Sequence, residues 1–455
     1  MDTARRFRWV TSWAHRDLRQ LPQAQRRKAL LTGVAILLAV IVFCFTVYQL
    51  FMAHHSQFDL KIYFNAINMW TDGGNLYDYA QPDPVNGMLG FTYPPAAALF
   101  MSPMGSMALT TVVVLTFLAI MSATVVWVAI LLRERLSLPR PQFLLVVGMV
   151  TAVAFCFQPM AQNISFGQIN IFLALLISID LLVLDRRNSR WTGIGIGIAM
   201  AVKVIPGIFL IYLIAARRWR ALAVALGSAA AVTLFAAIFE PKETWQYFSS
   251  LLWESSRVGV PDNTSNQSLN GIIARIWAPL PPDRMVWVLL SAAVLVLTYR
   301  RARVALSAGD RLAAMTLFGL LGVLVSPVSW IHHAVWVLPC GLVLVSSLWA
   351  NRPMSLGSPT HLALQPPRSP KEVTRWWYLL AFTVVGVLVW YFDTRSFFGL
   401  RGSDYTGAGP IAIIGGSLQT IWMVVAVAVL PIRRRGLRPQ AEVPRLVGEP
   451  SVERT

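Results

Sequence analysis

The chain reads as an all-α polytopic membrane protein, with about ten to twelve transmembrane or re-entrant helices joined by extracytoplasmic loops. Three observations point there. Hydrophobic residues make up 56% of the 455 and charged residues only 13%, whereas soluble domains are near a quarter charged. Apolar runs recur at lengths that cross a hydrocarbon core of roughly 30 Å. The formal net charge of +18 sits in the chain ends and in short loops beside those runs, the distribution that sets orientation in a bilayer. A nucleic-acid binder would instead gather its cations into a stripe on a soluble module, so nucleic acid is set aside as a partner.

Residues 1–28 form a basic arm (Arg5, Arg6, Arg8, Arg16, Arg19, Arg26, Arg27, Lys28). It is too long, and the run after it too extended, for a cleavable leader. Candidate spans follow at about 29–52, 108–132, 141–157, 169–185, 219–239, 283–299, 311–327, 330–349, 375–392 and 409–430. Placing the basic loops in the cytoplasm requires Trp191–Ala216 to enter and return on one side. Lys203-Val204-Ile205-Pro206-Gly207 supplies a break, because Pro lacks a donor and Gly permits a turn. A single straight span is the alternative. The resulting division is a cytoplasmic arm 1–28, a membrane core 29–350 with extracytoplasmic loops 53–107 and 240–282, a linker 351–374, C-terminal transmembrane helices 375–430 and a cytoplasmic tail 431–455. The smaller segments Gln158–Gln168 and 393–408 fall on the same outer side. Cys44, Cys156 and Cys340 are isolated in apolar segments, without a pairing or metal-binding spacing.

The polar residues of interest gather on that outer side. Asp59 lies where the first span gives way to a Tyr- and Trp-rich loop, and a carboxylate at a hydrocarbon boundary needs a partner or a task. As a general base it would take the proton of an acceptor hydroxyl in glycosyl transfer; the plain alternative is a helix-end carboxylate paired with Lys61. Tyr63 and Tyr93, the latter in Phe91-Thr92-Tyr93-Pro94-Pro95, can stack on sugar faces or serve the headgroup belt. Gln158 to Asn170 is dense in amides, including Gln168, and buried amides need partners that a polyol would supply. Asn263 to Gly271, with Asn266 and Gln267, is a second amide cluster or else a solvated loop; it is followed by Arg275, whose fork can chelate phosphate. His332 and His333 are adjacent, so they cannot jointly chelate a metal with ease, and no third ligand lies nearby. One can touch phosphate while its neighbour packs. His54 and His55 read as interfacial. Lys203, at the break, needs a phosphate, a carboxylate or water, or it snorkels. The Walker loop, Gly-x-Gly-x-x-Gly and Asp-x-Asp patterns are missing, which argues against a nucleotide donor. A sugar on a lipid monophosphate fits, since phosphate leaves readily when cations stabilise its growing charge.

In order along the chain stand Asp59-Leu60-x-x-Tyr63, Gly74-x-Leu76-Tyr77, Phe91-Thr92-Tyr93-Pro94-Pro95, Phe166-Gly167-Gln168-Ile169-Asn170, Lys203-x-x-Pro206, Asn266-Gln267-Ser268 and Ser326-Pro327-Val328-Ser329-Trp330-x-His332-His333. On these the chain resembles the integral-membrane mannosyltransferases of actinobacteria, glycosyltransferase family 87 with the GT-C fold, most of all the members that elongate phosphatidylinositol mannosides. The resemblance covers most of residues 55–350 and leaves the part after Pro353 unmatched. It implies a polyprenyl-phosphate-mannose donor, a phosphatidylinositol mannoside acceptor, inversion to an α-(1→2) bond, and neither metal nor cofactor. It also maps the family's essential Asp onto Asp59 and its Trp-x-His-His element onto Trp330, His332 and His333.

The expectation is therefore a plasma-membrane enzyme with its site facing the periplasm. Asp59 is the base; His332 or His333, with Lys61, Arg275 or Lys203, holds the donor phosphate. Tyr63, Tyr93, Gln168, Asn170, Asn266, Gln267 and Trp330 line the sugars. The alternatives are a branching mannosyltransferase of lipomannan, a transporter or flippase of a lipid-linked sugar, and a membrane scaffold.

Overall fold

The computed structural model describes residues 56–351, 369–392, 402 and 405–433. The basic arm, the span at 29–52, His54 and His55, and most of the linker, of the loop 393–408 and of the tail lie outside the described residues.

Among the described residues the first element is an amphipathic helix, α1 (Phe58–Thr71), then a hairpin of β1 (Ala80–Asp83) and β2 (Gly87–Gly90), and a short helix, α2 (Pro95–Met101). The hairpin is antiparallel, with Ala80 opposite Gly90 and Asp83 opposite Gly87. Its turn is closed by Asp83 Oδ1, which accepts from the amides of Val85 and Asn86. Around this segment a compact apolar core forms from Leu60, Tyr63, Ile67, Leu76, Phe91 and Tyr93.

The bundle proper starts with α3 (Leu109–Arg133), apolar along its length and ended by a cation that suits the C-terminal dipole. Next come α4 (Arg140–Ala154) and α5 (Gln158–Phe166), which meet at a bend of 78°. The amide-rich stretch expected as a loop is thus a helix, with Pro159 in its first turn and Gly167 ending it. Then follow α6 (Asn170–Ser178), continued by a π-helical stretch Ile179–Leu184, α7 (Ile194–Val202), and α8 (Ile208–Ala215). The break expected inside 191–216 is present: Lys203 is extended, and Pro206 lies in a short 3-10 turn before α8. Asp180, fully buried, accepts from the Ile196 amide at 2.8 Å and so satisfies a free donor at the start of α7.

The second half holds α9 (Trp219–Phe239), α10 (Pro241–Ser249), α11 (Leu269–Trp277), α12 (Arg284–Ser307), α13 (Arg311–Val325), α14 (Val337–Ala350), α15 (Pro370–Tyr391) and α16 (Pro410–Val429). Among the described residues six helices are long and apolar enough to cross a membrane, or seven if the bent pair is one span. The chain is a multi-pass membrane protein. The segments expected as spans at 169–185 and 311–327 are instead shorter apolar helices packed inside the protein. α13 is the central pillar: it is buried without interruption from Leu312 to Leu324, as a helix apolar on all sides must be. At its start Asp310 caps α13 through the Ala313 amide and binds Arg135 at 2.8 Å. At its far end, about 22 Å away at 1.5 Å per residue, Ser326 leads into a 3-10 helix, Ile331–Trp336, which carries both adjacent histidines. Gly319 fixes that helix against α13, because a Cβ there would fall 2.1 Å from the Trp336 ring.

Candidate active site

The site is assembled where α1 meets the turn between α5 and α6. Two bonds from Gln57 clamp the start of α1: its amide donates to Ser165 O at 2.9 Å and its side chain to Ile164 O at 3.1 Å. Gly167 ends α5 with φ +68°, and a Cβ there would sit 2.6 Å from the Leu60 Cβ. A glycine is needed for both reasons. The close approach puts the next residue beside α1, and Gln168 Nε2 donates to Asp59 Oδ2 at 2.6 Å.

From Gln168 a hydrogen-bonded chain runs in two directions. Its Oε1 accepts from Tyr93 Oη at 3.3 Å, and the Tyr63 and Tyr93 hydroxyls lie 2.9 Å apart. The same oxygen accepts from Asn170 Nδ2 at 3.3 Å. Asn170 Oδ1 in turn accepts from Lys203 Nζ at 2.8 Å, and His333 Nε2 lies 3.1 Å from that ammonium. When Lys203 is charged its ammonium can only donate, which makes His333 Nε2 the acceptor and leaves the ring proton on Nδ1. Lys203 also stands 5.1 Å from the centroid of the Tyr93 ring. The carbonyl of His332 accepts from Asn163 at 2.8 Å and from Asn170 at 3.1 Å, and Phe166 meets its ring edge-on at 5.5 Å.

Asp59, Tyr63, Tyr93, Gln168, Asn170, Lys203, His332 and His333, far apart in sequence, therefore form one cluster. Burial pushes the Asp59 carboxyl up to about 6, against the smaller opposing effects of the Gln168 hydrogen bond and the Lys203 charge. Both ring nitrogens of His332, His333 Nδ1 and Ser329 Oγ are buried without a hydrogen-bond partner among the described residues. Polar atoms of this kind are able to bond a ligand or water. Asn170, Lys203, Ser329 and His333 line a cavity of about 40 Å³ whose apolar walls include Leu173, Phe209 and Trp336. A larger apolar groove of about 450 Å³ begins at Leu60 and Tyr63 and runs past Phe100, Leu115 and Phe172. Among the described residues no group of three or more His, Cys, Asp or Glu is placed to hold a metal.

Four expected site residues are placed elsewhere. Lys61 is exposed, two positions along α1 from Asp59 and so about 200° around the helix; it is neither the carboxylate's partner nor part of the cluster. Arg275 is buried inside the 240–282 loop, where its guanidinium donates to the carbonyls of Asn263 and Asn266 and to Ser417 Oγ. Gln267 donates to Thr264 O and Gly416 O and accepts from Thr420. Asn266 donates to Pro261 O and accepts from the Ser329 amide. These three are occupied with holding the loop to α16 and to the Ser326–His333 corner, the structural part played by α16. Trp330 is half-buried, paired with Asn266 through a bridge of backbone hydrogen bonds. Sequence reasoning gave no role to Asn163 or Phe166, although both belong to the stretches singled out; only the fold shows them against His332.

The model for glycosyltransferase family 87 matches residues 91–327. A polyprenol-phosphate-mannose-dependent alpha-(1-2)-phosphatidylinositol mannoside mannosyltransferase of Mycobacterium tuberculosis is 32% identical over 332 residues, 70% of this chain and 77% of the relative. The protein of the same description from Mycolicibacterium smegmatis is 29% identical over 78% of this chain and 86% of its own. A polyprenol-phosphate-mannose-dependent alpha-(1-2)-phosphatidylinositol pentamannoside mannosyltransferase of Mycobacterium tuberculosis is 29% identical, covering 70% and 76%. No solved structure matches.

Proposed function

The chain belongs to glycosyltransferase family 87, and from that membership we propose that it transfers mannose from polyprenyl-phosphate-mannose to the 2-hydroxyl of a mannose on a phosphatidylinositol mannoside. The product is an α-(1→2) bond formed with inversion, and the acceptor is the tetramannoside, which becomes a pentamannoside. In this reading the reaction takes place on the periplasmic side of the plasma membrane, which the positive-inside rule supports for the segments that carry Asp59 and His333. The donor and acceptor classes are those in the names of the mycobacterial relatives.

The observation that carries the reading is Asp59, held by Gln168 in one hydrogen-bonded chain with Lys203 and His333. A carboxyl pushed up to about 6 is ionised at neutral pH yet basic enough to accept a proton in the transition state. As the acceptor O2 bonds to C1 of mannose, its proton passes to Asp59. The C1–O bond to phosphate breaks, and its electron pair leaves with the polyprenyl phosphate. Lys203 stabilises that developing charge, and His332 and His333 offer ring nitrogens beside it. Tyr63, Tyr93, Gln168, Asn170 and Trp330 line the sugars, while the apolar groove at Tyr63 takes a lipid chain.

The test is purified protein in lipid with polyprenyl-phosphate-mannose and phosphatidylinositol tetramannoside, with products read by mass. A gain of one hexose that is lost in Asp59→Asn supports the reading. Gain only with a pentamannoside or with lipomannan changes the acceptor and keeps the chemistry. Movement of the lipid-linked sugar across the bilayer without product would favour a transporter.

A further inference from the structure

α10 has two unlike faces. Tyr247 is buried and stacks on Tyr77 at 6.0 Å with 25° between the rings, and Gln246 accepts from Asn75 at 3.1 Å. The other face carries Pro241, Trp245 and Phe248 at helical spacing. Trp245 is 76% exposed, as is Trp253 in the turn beyond, whose indole folds back to donate to Phe248 O at 3.0 Å. A single residue, Glu240, separates α10 from the span α9. The last residues of α9, Ile238 and Phe239, are 75% and 57% exposed, so the outward wall of that span is apolar to its end. α10 therefore starts at the level where the hydrocarbon stops. An indole has an apolar body and a polar edge, and it is at home at that depth.

We propose that the Trp245–Phe248–Trp253 face docks on the phospholipid headgroup layer of the leaflet on the Asp59 side. The patch is continuous with the membrane-facing wall of α9, which selects lipid as its occupant over a soluble protein. From this anchor a path of contacts leads inward. Tyr247 stacks on Tyr77, Tyr77 Oη donates to Tyr93 O at 3.0 Å, and the Tyr93 hydroxyl meets Tyr63 and Gln168. The headgroup layer thus braces the aromatic wall beside Asp59. The inference concerns how the bilayer holds α10, and it stands whichever sugar is transferred.

Nitroxide labels at Trp245→Cys and Trp253→Cys, in the full chain with Cys44, Cys156 and Cys340 replaced, test this in nanodiscs of phosphatidylethanolamine and phosphatidylglycerol. Collision rates with oxygen and with a water-soluble nickel chelate give the depth of each label. The expected result is an oxygen-to-nickel ratio several-fold above the bulk-water value at both positions. Ratios equal to bulk water would overturn the proposal. So would dipolar broadening between labels on two chains, which would mean that a second copy covers the face. Phe248→Cys, on the same face, replaces either variant that does not yield folded protein.

Discussion

Gln168 donates to Asp59 at 2.6 Å while its other amide atom accepts from Asn170 and Tyr93. One side chain thereby ties the carboxylate on α1 to the Lys203–His333 pair. Removing a member should be felt at the others, so substitutions along this chain will not be additive.

Asp59→Asn should lower the transfer rate by about a hundred- to ten-thousand-fold, the usual worth of a positioned base, with donor binding retained. Turnover with polyprenyl-phosphate-mannose and equilibrium binding of the donor separate the two effects.

The same substitution should stabilise the protein at neutral pH. Asp59 is raised from its ordinary value near 3.8 to about 6, so the fold favours its protonated form. That contribution is complete below about 4 and is lost as pH rises through 6. The melting temperatures of wild type and Asp59→Asn should coincide near pH 4 and diverge in favour of Asn by pH 7. Transfer should do the opposite in the wild type, falling with unit slope as pH drops below about 6.

Lys203→Met should weaken donor handling more than acceptor handling. A charged hydrogen bond of this kind is worth about 1.5–3 kcal/mol, a loss of roughly ten- to a hundred-fold in kcat/KM for the donor. Initial rates with each substrate varied in turn check it. An unchanged kcat/KM for the donor would remove the phosphate role.

Gly167→Ala should destabilise by at least about 1 kcal/mol from the left-handed backbone alone, and more from the 2.6 Å approach to Leu60. Because it pushes α1 from Gln168, turnover should drop even below the melting temperature. Thermal unfolding and rate measured on one preparation test both.

Among the described residues, the six long apolar helices and the break at Lys203 were legible in the sequence because their causes are local: apolar length, and Pro206 with Gly207 after a charge. The members of the cluster were legible as types, since amides, a carboxylate and imidazoles are conspicuous among apolar residues. Their partners were not. The helix at 158–166 carries amides where an apolar face would signal it, and its 78° bend follows from packing. Lys61 and Asp59 look like neighbours until α1 turns them apart. Arg275 and Gln267 resemble ligands in isolation, and only α16, more than a hundred residues later in sequence, shows what occupies them.

Gln267 and Arg275 reach Gly416, Thr420 and Ser417 on α16, and Thr264 reaches Gly402. Ribosomal synthesis delivers those groups more than a hundred residues after the loop they hold. A nascent chain that has already inserted Asp59, Lys203 and His333 still lacks the clamp on the loop beside them. The loop is thus clamped only after α16 has been made. A message truncated before that point encodes a protein with Asp59, Lys203 and His333 but without the α16 partners of the loop that packs beside them.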